Sequence, residues 1–194
     1  MPVPSDPNQV HTYFQTAVLT FNCGDINALL KNPPKNEKTQ QPATGALFAC
    51  VMSGIDTVGG MIYGFKDGEN RDNSRSRSSS FMKKHMCMTE EEANGTYDLG
   101  RCGMLHQSAP KSRMGIRAVC TKDGALFHKS GRPGDDTATL EVVELARRYL
   151  AAVKIIDSQR EQLSYLPDAP KVTFSKVFLD GLTIYDAPTT TSAP

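Results

Sequence analysis

The sequence predicts a mainly α domain: an up-and-down helical bundle with one or two small β-hairpins. Three observations lead there. Long stretches place apolar residues at helical spacing. One helix start carries a full capping signature. Two Asp-Gly pairs sit inside short runs of strand-forming residues.

The first helix is predicted over residues 8–31. Val10, Tyr13, Phe14, Ala17, Val18, Phe21, Ile26, Leu29 and Leu30 recur in steps of three and four and form one stripe. Pro33-Pro34 ends it, because proline disfavours helical geometry in the residue before it. A second helix is predicted over 43–65. It is apolar almost all round, which suits a central position. Its only acidic residue is Asp56, read either as an exposed edge residue or as a buried carboxylate paired with a cation.

Residues 66–80 are rich in Ser, Arg and Asp and read as a solvated connection, with a short third helix over 79–87. Thr89-Glu90-Glu91-Glu92 then opens a fourth helix. The threonine oxygen accepts from the backbone amide three residues on, and Glu92 reaches back. Three acids in the first turn also suit the positive end of the helix dipole. This helix is predicted to run to about Gln107.

Residues 112–130 read as a β-hairpin insertion turning at Asp123-Gly124. The last long helix is predicted over 137–163, capped by Asp136 or Thr137, with Leu140, Val143, Ala146, Leu150, Val153 and Ile156 on one side. A second hairpin or extension is expected over 166–187, around Asp180-Gly181. Residues 1–7 and 188–194 are expected to be a flexible start and a disordered tail, leaving one helical domain over 8–165.

Composition narrows the function classes. The 194 residues hold 22 Lys plus Arg against 21 Asp plus Glu, so net charge names no partner. No run of about 18 apolar residues is present, so no membrane association is expected. The first residues have neither a basic start nor an apolar stretch, unlike a secretory signal. Five scattered cysteines without a C-x-x-C pair read as reduced thiols of a cytoplasmic protein. No His, Asp or Glu cluster has metal-ligand spacing, so neither metal nor cofactor is expected.

Candidate chemistry lies in residues 97–107, YDLGRCGMLHQ. Arg101 and His106 are five apart, about 140° around a helix, so one helix does not bring them together. Gly100 and Gly103 strip the same stretch of side chains. A glycine inside a helix costs about 1 kcal/mol against alanine, which close approach of a ligand or another backbone would explain. Structural alternatives exist: a helix C-terminal role for His106, and a salt bridge from Arg101 to Asp98 or Asp56.

Arg101-Cys-Gly-Met-Leu-His106 resembles the R-x4-6-H motif of the HEPN superfamily, and the flanking Tyr97 and Gln107 resemble a bacterial subgroup of it. The resemblance spans about residues 10–165 and rests on about a dozen positions. It implies a bundle of helices that pairs through its motif helices. That homodimer would gather two arginines and two histidines in one cleft. It also implies metal-independent RNA cleavage, in a toxin–antitoxin setting with a cognate antitoxin, or in phage defence. Asp56 would then be an orienting carboxylate. Cys102 departs from the polar residue that active members often carry after the arginine, leaving a catalytically silent partner- or nucleotide-binding module as the alternative.

The chemistry also follows from the residue types. Histidine exchanges protons near neutral pH, and arginine grips phosphate oxygens in a fork. Seven cations against one acid, Asp123, occupy residues 101–132, and Lys111, Arg113 and Arg117 are the expected RNA contacts. A solvated segment neutralised by acids elsewhere explains this surplus equally well. His11, His85 and His128 have no partner at recognisable spacing, and Met82, Met86, Met88 and Met104 read as packing.

Overall fold

The computed structural model describes residues 5–33, 44–65, 71–101, 114–117, 124–129 and 137–167. These form a mainly helical domain with one small sheet.

The first helical run starts with Asp6, whose carboxylate accepts from the Asn8 amide at 3.0 Å, and with Pro7 in the first turn. It comprises α1 (Pro7–Tyr13), a π-helical segment (Phe14–Asn22) and α2 (Cys23–Lys31). The wide middle turns show in their bonds: the Thr20 hydroxyl donates to Gln15 O, five residues back, at 2.9 Å. Val10, Phe14, Val18 and Ile26 are buried, as the apolar stripe predicts, while Phe21 points outward.

Helix α3 (Thr44–Tyr63) is the central helix, with ten buried residues. Gly64, at φ +92°, ends it in the left-handed region that glycine adopts without strain. Among the described residues α3 is also long and apolar enough to cross a membrane, but 56% of its apolar window is buried within the protein.

Helix α4 (Arg71–His85) corrects the sequence reading, which placed a connection over 66–80 and a helix only from 79. Its Ser, Asn and Asp residues have weak intrinsic helix preference, and tertiary bonding overrides it. Ser74, Arg77 and Ser78 all donate to Asp56 of α3, and Phe81 and Met82 are buried in the core. Helix α5 (Glu90–Gly95) begins with the expected capping box. The Glu92 amide donates to Thr89 Oγ1 at 3.2 Å, and the Thr89 amide donates to Glu92 Oε2 at 2.8 Å. A second π-helical segment, Thr96–Arg101, continues it.

The sheet differs from the expected hairpin. Strands β1 (Met114–Arg117) and β2 (Phe127–Lys129) do not pair with each other, because β3 (Ala138–Glu141) lies between them. It runs parallel to β1 and antiparallel to β2. Residues 138–141 were expected to open the last helix. They instead belong to a run carrying Thr137, Thr139, Val142 and Val143, whose branched side chains suit a strand. Gly124 has φ +65°, in the left-handed region that glycine adopts without strain, while Asp123 of the expected turn lies outside the described residues.

Helix α6 (Val142–Ser158) therefore starts later than expected, with Glu141 and not Asp136 or Thr137 at its N-cap, and without a side-chain capping bond. It buries Leu145, Ala146, Tyr149, Ala152, Val153 and Ile156 against α3 and its neighbours. A short 3-10 turn, Arg160–Gln162, follows. Tyr149 shows how tightly α6 meets α3. Its hydroxyl donates to Asn22 Oδ1 at 2.8 Å and lies where a Cβ at residue 54 would be, 2.3 Å away, so only Gly54 fits. Met82, Met86 and Met88 are packing residues, as expected. Of the second hairpin or extension expected over 166–187, only Leu166 and Pro167 are described, without strand structure; the residues from 168 onward, with the terminal tail, lie outside the described residues.

Candidate functional site

The helix that leads to the motif is anchored at both ends. At its start the capping box fixes α5. Near its end Asp98, in the second π-helical segment, accepts from Arg75 Nη2 of α4 at 2.6 Å. Arg101 is the last residue of that segment. Its side chain, and all of His106, Lys111 and Arg113, lie outside the described residues.

Asp56 is the carboxylate paired with a cation rather than a free edge residue. Its side chain is 24% exposed and that of Arg77 is 16% exposed. Oδ1 accepts from Ser74 Oγ at 2.7 Å, Arg77 Nε at 3.0 Å and Ser78 Oγ at 3.1 Å, and Oδ2 accepts from Arg77 Nη2 at 3.1 Å. All four bonds come from α4, so Asp56 acts as an anchor between α3 and α4. Arg77 also stands 5.2 Å from the centre of the Phe65 ring. The two carboxylates that the sequence offers Arg101, Asp56 and Asp98, are thus both held by arginines of α4.

Arg117 has a definite partner. Its Nε donates to Glu141 Oε1, and its side chain is 43% exposed. Glu141 is fully buried, and its Oε1 is also 3.6 Å from His128 Nε2. Glu141 Oε2 and His128 Nε2 are buried and have no hydrogen-bond partner among the described residues. Sequence reasoning missed this cluster. Arg117, His128 and Glu141 come from three strands, and no helical or motif spacing relates them. The signal that could have revealed it is the strand-forming run at 137–143, which puts a carboxylate at a strand end. The sheet adjoins the motif helix: a Cβ at Gly95 of α5 would stand 3.9 Å from the Phe127 ring of β2.

A second titratable group lies at the far end of α4. His85 stacks on Phe81, with ring centres 5.3 Å apart, and its Nε2 is 3.3 Å from the Tyr63 hydroxyl. Burial, and then the neighbouring Lys84 charge, hold its pKa below the usual histidine value. Cys87 beside it is an exposed free thiol.

No group of three or more His, Cys, Asp or Glu residues able to hold a metal occurs among the described residues. Comparison with protein-family models, curated proteins and solved structures gave no match.

Proposed function

We propose that the chain is a cytoplasmic RNA-binding protein of HEPN type that cleaves RNA without a metal, using Arg101 and His106. The observation that carries this reading is the engagement of Asp56 and Asp98. Each is the natural structural partner for Arg101, and each is held by another guanidinium, Arg77 or Arg75. A phosphate is a partner that the Arg101 guanidinium is suited to hold.

The reaction follows from RNA chemistry. His106 accepts the proton of the ribose 2′-hydroxyl, whose oxygen bonds to phosphorus. Arg101 stabilises the charge that builds on the phosphorane oxygens. The bond from phosphorus to the 5′-oxygen breaks, and that oxygen takes a proton from the second histidine of a paired copy. The products are a 2′,3′-cyclic phosphate and a 5′-hydroxyl. A homodimer through the motif helix supplies both histidines, and a cognate antitoxin would cover the cleft.

Cys102 favours a second reading. A thiol packs as a small hydrophobe and donates weakly, so a silent module that binds a partner protein or nucleotide has the same framework without the chemistry. Incubating labelled RNA with purified protein and a chelator separates the two. Cleavage lost in both Arg101→Ala and His106→Ala supports the nuclease. Cleavage surviving both substitutions eliminates the assigned site, and an inactive but dimeric parent favours the silent module.

A further inference from the structure

We propose that one face of the three-stranded sheet is a phosphate-binding site, with Arg117 as its clamp, His128 as a second contact and Glu141 as the buried positioning residue. The register builds this face. Successive strand residues point to opposite sides, so Thr139 and Glu141 share a face that excludes Leu140. Arg117 lies opposite Glu141, while Gly115 and His128 lie opposite Thr139 on either side. All five residues therefore fall on one side of the sheet. On the other side Leu140 is fully buried in the core, with Ile116 and Phe127 packed against it.

Glu141 is costly in this place. A carboxylate withdrawn from water is strongly disfavoured unless it is paired. Here it has Arg117 on Oε1, His128 within 3.6 Å, and nothing among the described residues on Oε2. What it accomplishes is orientation. It accepts from Arg117 Nε and so holds in place a side chain that is 43% exposed. A guanidinium is a flat fork that matches two oxygens of a phosphate, which a lysine does not reproduce. His128 turns Nε2 inward toward Glu141 and keeps 28% of its side chain exposed. Gly115 adds nothing to the face. A Cβ there would meet Thr139 Oγ1 at 3.4 Å, an ordinary contact. Arg117 and Glu141 cancel in charge, so the site selects by the geometry of the fork, within a segment that is otherwise strongly basic.

The phosphate is that of an RNA strand or of a small free phosphate, and the test distinguishes them. Inorganic phosphate and a short RNA oligonucleotide are titrated separately into the full chain. Binding is followed by calorimetry and by the imidazole NMR signal of His128, assigned through His128→Asn. Phosphate is expected to shift that signal. Arg117→Ala and Arg117→Lys should each weaken phosphate binding by about tenfold or more, while Lys154→Ala, which removes an exposed charge on α6, should stay within about twofold. Phosphate that competes with the oligonucleotide identifies RNA as the source. Phosphate that binds without competing identifies a small free ligand. An unmoved His128 signal in the folded protein, or equal affinity in Arg117→Ala and Lys154→Ala, overturns the proposal. Because binding is the readout, the result is independent of cleavage by Arg101 and His106.

Discussion

Arg77 grips Asp56 through two parallel bonds, Nε to Oδ1 at 3.0 Å and Nη2 to Oδ2 at 3.1 Å, and so ties α4 to the central helix α3. Removing the carboxylate strands a guanidinium that is only 16% exposed and releases two serine hydroxyls as well. Asp56→Ala is expected to cost about 2–3 kcal/mol, since hydrogen bonds to charged groups are worth more than neutral ones. For a chain of this size that corresponds to a fall in melting temperature of about 5–10 °C. A loss below about 2 °C would show that α4 is held by its apolar face alone.

The Gly54–Tyr149 contact predicts a second, sharper loss. A Cβ at position 54 would lie 2.3 Å from the Tyr149 hydroxyl, 2.4 Å from Asn22 Oδ1 and 2.5 Å from Tyr149 Cζ. Gly54→Ala therefore forces α3 and α6 apart and is expected to cost about 1–3 kcal/mol. Tyr149→Phe removes the hydroxyl with its bonds to Asn22 and Cys23, at about 1–2 kcal/mol. The ring carbon remains in the way, so the double variant should be no more stable than Gly54→Ala. Urea denaturation midpoints measure all three, and a full rescue in the double variant would refute this packing.

The same buried corner makes the protein sensitive to alkali. Burial pushes the Cys23 thiol up to about 11 from its ordinary 9.0, against a smaller opposing effect of its bond with Tyr149. Burial first, and then Cys23, likewise raise Tyr149 well above its usual value. An unfolded chain releases the Cys23 proton near pH 9.0 and the folded chain near 11, so between them the native state holds a proton that the unfolded state lacks. Stability therefore falls as pH rises through this window, by on the order of 2 kcal/mol from this group. Cys23→Ala should flatten the fall. Equal slopes for parent and variant between pH 8.5 and about 11 would remove Cys23 as its source.

Thiol reactivity should divide along the same lines. The thiolate is the reactive species, so a buried thiol with a raised pKa stays inert. Cys87 is exposed, whereas Cys23 is buried. Iodoacetamide at pH 8 on the native protein is expected to label Cys87 fully and Cys23 only after denaturation, as read by peptide mass mapping. Early labelling of Cys23 would mean that the corner opens in solution.

Legibility in the sequence followed how local each cause was. Thr89 and Glu92 cap one another across three residues, so α5 was visible at once. The apolar stripe of Val10, Phe14 and Val18 and the ridge of α6 are likewise local patterns. Helix α4 was hidden because the causes of its polar turns lie in Asp56, on another helix. Strand β3 was hidden because Leu140 and Val143 also fit the helical period of α6, into which the strand leads directly. His128 appeared to lack a partner for the same reason: Glu141 reaches it across strands. For Arg101, whose side chain lies outside the described residues, the structure adds that Asp98 and Asp56 are held by arginines of α4.

The proposed RNA chemistry makes its strongest prediction through mixing. If each catalytic cleft needs groups from two copies of the motif helix, Arg101→Ala and His106→Ala are each inactive as homodimers. A heterodimer of the two still keeps an intact arginine from one protomer and an intact histidine from the other. Co-refolding the two variants should then restore cleavage in the presence of chelator, well below the parent rate, because water must replace the missing second histidine as proton donor to the 5′-oxygen. The rate of the parent should also bend near pH 6–7, where a histidine changes its charge. A silent mixture, together with a monomeric parent in light scattering at micromolar concentration, would sink the shared cleft. A profile flat from about pH 5 to 9 would sink His106 as the proton carrier, because an acid–base group must change state within the range in which it works.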